Sequence, residues 1–277
     1  MSRGRGSAIG PVRLGLQPHA ATRWILLVVA AVVFAIPLLS LLHFTFRDGL
    51  GGGLTLDHWT GLFDPENAMQ YRQLFQAIGN SIVLAIVTVA IVLVLLLPTM
   101  VLVHMSFPRL KRVLEFICIV PITVPAIVLV VGLAPVYSVV TKIFGSSVWT
   151  LAFAYGITVL PFAYRAIQAN LDAVPVLVLS EAARSLGAGW PTVLGSIILP
   201  NLRRGVLAAS FISVAVVLGE FTIASLLNRR NLQTALLQIS QSDPWVAAIL
   251  ALLSLTFAFV LLLVIGRLTS VGNRRES

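Results

Sequence analysis

Six apolar stretches, each about 20 to 30 residues long and separated by more polar segments, limit what this chain can fold into. They cover residues 24–44, 76–103, 113–133, 148–169, 205–227 and 245–268. A helix of about 20 residues crosses a hydrocarbon layer of about 30 Å, and inside that layer only structures that satisfy their own backbone groups survive. The expected fold class is therefore an all-α membrane protein of six transmembrane helices. With 58% hydrophobic and only 10% charged residues, the chain does not have the surface of a water-soluble domain. The first stretch is too long for the apolar core of a signal peptide, and no small-residue cleavage site follows it, so it reads as an uncleaved anchor. Pro98, Pro121, Pro125 and Pro161 fall within the stretches, where each removes a backbone donor and can kink a helix. Trp24, Trp149 and Trp245 lie at stretch ends, where an amphipathic ring prefers the interface.

Charge sets the orientation. With both termini in the cytoplasm, 14 of the 19 Lys and Arg residues lie inside, and Arg47, Arg72, Lys142, Arg229 and Arg230 lie outside. The formal charge of +9 follows from this bias and calls for no nucleic acid. The tail 1–23, with Arg3, Arg5, Arg13 and Arg23 and no acid, fits a cytoplasmic segment near anionic lipid. The expected organisation is this tail, one membrane domain over 24–268 and a second cytoplasmic tail over 269–277. Residues 45–75, 135–147 and 228–244 are expected as outer loops.

Catalytic sets are missing. His19, His43, His58 and His104 are scattered and give no metal spacing, and neither GxSxG nor HExxH occurs. GLGGG at 49–53 has no Lys-Ser/Thr at Walker spacing. Cys118 has no partner for an intrachain disulfide. No cofactor or metal is expected. The strongest intramembrane candidate is Glu220, because a carboxylate within a span is costly and points to function. On a continuous helix Ser213, Val217, Glu220 and Ala224 share a face of small and polar groups that could line an aqueous path for a cationic solute. The alternative is that Glu220 bonds a neighbouring helix. Asn80, where the second stretch opens, is a weaker pathway candidate and suits an interhelical bond. Glu115 is expected to pair with Arg112 or Lys111. Arg165 and Asp172 read as interface anchors.

Between the fourth and fifth stretches, within a loop spanning about 170–203, residues 181–200 read EAARSLGAGWPTVLGSIILP. Pro175 sets a turn, 177–186 is compatible with a helix, and Gly187 falls where a left-handed helix end is needed. Trp190 and Pro191 start a second segment back toward the membrane. Glu181-Ala182-Ala183, Gly187 and Leu199-Pro200 at this spacing resemble the cytoplasmic EAA loop of permease subunits of binding-protein-dependent ABC importers. The resemblance covers about residues 80–268. It implies a six-helix permease of the type I importer class, in which this loop docks on a separate ATPase that hydrolyses ATP. It also implies a second permease subunit, identical or homologous, and an extracytoplasmic solute-binding protein. GEFTIASLL and PITVPAIVLVVG look most like the spermidine/putrescine branch, while thiamine, ferric iron and aminoethylphosphonate importers have similar subunits. A secondary transporter, the main rival class, calls for inverted repeats that are not found.

Overall fold

The structure is a computed structural model that describes residues 20–49 and 51–271. Arg3, Arg5, Arg13, Arg274 and Arg275 of the expected tails lie outside the described residues. The chain begins with α1 (Ala20–Thr45), a small antiparallel hairpin of β1 (Arg47–Asp48) and β2 (Gly53–Leu54), and α2 (Asp57–Gly61). Next come α3 (Ala68–Ser106), α4 (Lys111–Thr123), α5 (Ala126–Phe144) and α6 (Ala152–Leu171). The loop region holds α7 (Val176–Ser185), α8 (Trp190–Thr192), a π-helical turn (Val193–Ile198) and α9 (Leu199–Asn201). The chain finishes with α10 (Arg203–Gly219), α11 (Thr222–Leu226), α12 (Leu232–Ser242) and α13 (Pro244–Val271).

Four helical stretches are long and apolar enough to cross a membrane: Ala21–Thr45, Tyr71–Ser106, Ala126–Phe144 and Val148–Leu171. Trp190–Asn201 and Arg203–Gly219 qualify together as a fifth, bent by 76°, and Pro244–Val260 is a shorter apolar helix. Several expected boundaries change. The third stretch is cut at Val124–Pro125, where Val124 is extended (ψ 122°), the conformation a following proline favours. Helix resumes at Ala126 and runs through Pro135 to Phe144, so the outer loop expected at 135–147 shrinks to three residues. The fifth stretch stops at Gly219 rather than near 227, and the segment 228–244, expected as an outer loop, contains a helix, α12.

The core centres on α6, which packs on α3, α4 and α10. Between helices in lipid the hydrophobic drive is weak, so close approach of small residues and buried hydrogen bonds carry more of the packing. Ala152, Ala154, Gly156 and Ala163 are buried on α6 beside Tyr155, Tyr164 and Ile167. Gly205 of α10 meets Asn170 of α6 so closely that a Cβ there would lie 2.7 Å from the Asn170 Cβ. A second, smaller core joins the N-terminal ends of α3 and α13 through Tyr71, Leu74, Val246 and Ile249. Trp245 stacks on Phe44 at 5.9 Å and His58 at 4.9 Å, tying α1 and α2 to α13. Apart from its C-terminal end, which meets α13 and accepts the Trp59 indole N–H of α2 at Thr45, α1 stands largely outside the bundle with most of its apolar side chains exposed.

Candidate functional site

The loop between α6 and α10 is a compact two-part unit. Pro175 occupies the N-cap position of α7 and accepts from the Leu179 N–H at 3.1 Å. Val176, Ser180 and Ala183, at helical spacing, face inward and are buried. Val193, Ile198 and Leu202 supply buried apolar surface in the returning segment. The Ser180 hydroxyl donates to the Val176 carbonyl at 2.7 Å and reaches Met105 Sδ at 3.5 Å, at the C-terminal end of α3. Glu181, Ala182 and Arg184 are exposed, together with the apolar side chains of Leu177, Val178 and Leu186.

α7 ends in a Schellman motif. The Ala188 N–H donates to the Ala183 carbonyl at 3.1 Å and the Gly187 N–H to the Arg184 carbonyl at 2.9 Å, with Gly187 at φ +86°. The EAA residues are thus split: Ala183 packs inward, while Glu181, Ala182 and Gly187 face out. Leu199 and Pro200 are also exposed, on the returning segment rather than on α7.

The base of the loop is tied on two sides. Lys111 Nζ donates to Asp172 Oδ1 at 3.0 Å, and Gln168 Nε2 donates to the same oxygen at 2.8 Å. The Gln168 amide first, and the Lys111 ammonium with it, holds the Asp172 carboxyl below the usual carboxylate range. Lys111 therefore pairs across to α6 rather than with its helix neighbour Glu115. Next to the base is a cleft of about 640 Å³, lined by Asn170, Pro175, Leu179, Pro200, Arg203 and Arg204.

A second polar region lies at the other end of α10. Because the helix stops at Gly219, Ser213, Val217, Glu220 and Ala224 do not share one continuous face. Glu220 has ψ 118°, and its Oε1 accepts the Ile223 N–H at 2.9 Å, capping α11. Ser213 is buried and donates to the Ala209 carbonyl of its own helix at 2.6 Å. Asn80 Nδ2 donates to the Arg230 carbonyl at 3.1 Å, so it bonds to a turn rather than to a helix. Carbonyls freed by a break in an apolar helix need new donors. Gln233 Nε2 donates to Leu218 O at 2.7 Å, and Asn231 Nδ2 donates to Glu220 O at 2.7 Å.

Asn231 is the residue that sequence reasoning missed. It is buried, caps α12 through the Thr234 N–H, receives a reciprocal cap from Thr234, and also donates to the buried Tyr155 hydroxyl at 3.2 Å. The adjacent Leu232 N–H donates to the buried Ser81 hydroxyl of α3 at 2.7 Å. The Asn-Leu-Gln-Thr pattern is legible as a helix start. Its partners on α3 and α6 are not. Among the described residues no cluster of His, Cys, Asp and Glu could hold a metal ion.

A sequence-family model described as "Binding-protein-dependent transport system inner membrane component" matches residues 101–269, more than half of the chain and the whole of the loop unit. A probable ABC transporter permease protein, y4fN, of Sinorhizobium fredii (strain NBRC 101917 / NGR234) is 26% identical over 209 residues, 72% of this chain and 37% of that protein. The phosphate transport system permease protein PstA of Pasteurella multocida (strain Pm70) is 32% identical over 114 residues, 41% of this chain and 40% of that protein. The chain thus spans about two fifths of the length of these curated relatives.

Proposed function

The chain belongs to the family of binding-protein-dependent transport system inner membrane components, and on that premise we propose that it is a permease subunit of an ATP-driven solute importer. It is a multi-pass inner-membrane protein. In this reading it crosses the membrane six times with both termini in the cytoplasm, as one permease domain over 24–268. α4 with α5, the bent pair ending in α10, and α13 complete the count begun by α1, α3 and α6. ATP is hydrolysed by a separate ATPase. A second permease subunit closes the pathway, and a solute-binding protein delivers from outside.

The observation that carries the reading is the two-faced build of α7. One face is buried against its own loop. The other offers Glu181 and Arg184 among the exposed apolar side chains of Val178 and Leu186, beyond the end of the apolar helix α6. Exposed apolar surface rimmed by charge suits a protein partner. Glu181, Ala182 and Gly187 would meet the ATPase, Ala183 would hold the inward face, and Leu199 and Pro200 would flank the contact on the returning segment.

For the solute, the likeness to the spermidine/putrescine branch supports a polyamine, with Glu220, Ser213 and Asn80 along the path. A second reading, an anionic solute, draws on the similarity to a protein named for phosphate transport. The test is co-purification in mild detergent, comparing the parent with Glu181→Arg and Gly187→Pro. An ATPase should accompany the parent and be depleted from both variants. If the folded parent recovers no ATPase, the importer reading fails.

A further inference from the structure

No described residue neutralises the charge of Arg229. Its Nε is buried, and no acceptor meets it among the described residues. One Nη group reaches the Asn228 carbonyl at 3.4 Å, the long limit of a hydrogen bond. Lys111 pairs with Asp172 at the loop base, and no described carboxylate forms an ion pair with Arg229. A guanidinium cannot shed its proton to escape burial. An unaccepted donor on such a group is therefore a standing cost that a binding partner would relieve.

The backbone that holds this residue is built at both ends. α11 closes with a Schellman motif in which Asn228, at φ +51°, takes the left-handed position. The Asn228 N–H donates to the Ser225 carbonyl at 3.1 Å and the Arg229 N–H to the Ala224 carbonyl at 2.8 Å. Two residues later the buried Asn231 cap begins α12. Arg229 and Arg230 thus sit in a turn clamped between two helix caps, next to the break at Glu220. In the proposed orientation this is the outer end of the bundle, where cations are the minority.

We propose that Arg229 is a receiving site for a small oxyanion, of phosphate or carboxylate type, that arrives from the outer side as the transported solute. This rests on the importer reading and takes the second of its two solute classes, the anion, over the polyamine. A guanidinium accepts such groups through paired N–H bonds. Of the two neighbouring arginines, Arg230 is exposed and Arg229 half-buried. The exposed Arg230 is open to a carboxylate on a docking protein, whereas the half-buried Arg229 suits a smaller anion that meets its partly exposed Nη groups.

The experiment uses the full chain, purified in neutral detergent with whatever subunits accompany it. Orthophosphate and acetate are titrated at ionic strength held constant with potassium chloride, and thermal unfolding is followed. At least one anion should raise the parent's midpoint saturably. Arg229→Gln should weaken that anion's apparent affinity by about tenfold or more, the loss of a charge-assisted hydrogen bond. Arg229→Lys should fall between, and Arg230→Gln should stay close to the parent. Without anion, the Arg229→Gln midpoint should match or exceed the parent's, because an unaccepted donor has gone; a purely structural arginine predicts a fall. Identical responses in parent and Arg229→Gln overturn the proposal, as does a parent that responds to neither anion or equally to spermidine chloride. A response confined to nanodiscs containing phosphatidylglycerol overturns it in favour of a lipid headgroup. Loss of a co-purifying binding protein from Arg229→Gln, with the anion response intact, overturns it in favour of docking. Failure of the importer reading is seen separately, as absence of an ATPase whatever the anions do.

Discussion

Replacing Gly205 by alanine sets two effects of opposite sign against each other at the base of the loop. In a helix interior alanine is better than glycine by about 0.8–1 kcal/mol. Yet a Cβ at 205 would lie 2.7 Å from the Asn170 Cβ, 3.2 Å from the Ala166 carbonyl oxygen and 3.2 Å from the Asn170 Cγ. Neither a Cβ nor a main-chain oxygen can swing aside, so α6 or α10 must shift. Overpacking of this kind costs about 1–3 kcal/mol, and a contact below 3 Å belongs in the upper half of that range. The net expectation is a loss of about 1–2 kcal/mol, or about 2–6 °C in Tm at the sensitivity usual for a chain of this size. Gly79→Ala in α3 is the control, since nothing lies within 4 Å of its added carbon. It should gain about 0.5–1 kcal/mol from propensity alone. The assay is parallel thermal unfolding of the purified full chain in neutral detergent, with Gly205→Val expected to fall further than Gly205→Ala. If Gly205→Ala rises with Gly79→Ala, α6 and α10 do not approach as described, and the tight loop base is wrong.

Asn231→Ala removes the donor to Glu220 O and the cap of α12 together, an expected loss of about 2–4 kcal/mol in the same assay. Asn231→Asp, which keeps the cap acceptor, should lose less, and an unchanged midpoint in both would dismiss the knot at the break. In Glu220→Gln the side-chain oxygen can still accept from the Ile223 N–H. The fold should therefore persist while solute-stimulated ATP hydrolysis by the assembled complex falls; unchanged hydrolysis would leave Glu220 only its capping role.

The parts of this architecture that are legible in the sequence are those fixed by local chemistry. The lengths of α1 and α6 follow from apolar stretches bounded by charge, whereas α3 starts at Ala68, eight residues before its apolar stretch and within the segment expected as an outer loop. Pro125 advertises the cut between α4 and α5, and Gly187 the left-handed end of α7. The break at Glu220 has no such mark, because Gly219-Glu220-Phe221 contains no proline and its neighbours suit a helix. What stabilises the break is an asparagine eleven residues on and a tyrosine on α6. Likewise Lys111 passes over Glu115, one turn away, for Asp172, which only the packing of α4 on α6 brings close. α12 was hidden by its setting: a polar stretch between two apolar ones reads as a loop until its cap is recognised.

The contact between Gly205 and Asn170 has a mechanical corollary. The segment that carries α7 leaves α6 and rejoins the bundle at α10 through two roots that touch, so the segment cannot yield by drawing its feet closer together. A push on the exposed face of α7 would therefore load α6 and α10 together, because the two helices pack directly on each other. The far end of α10 is the interruption after Gly219, and any displacement imposed at the base must be absorbed there first.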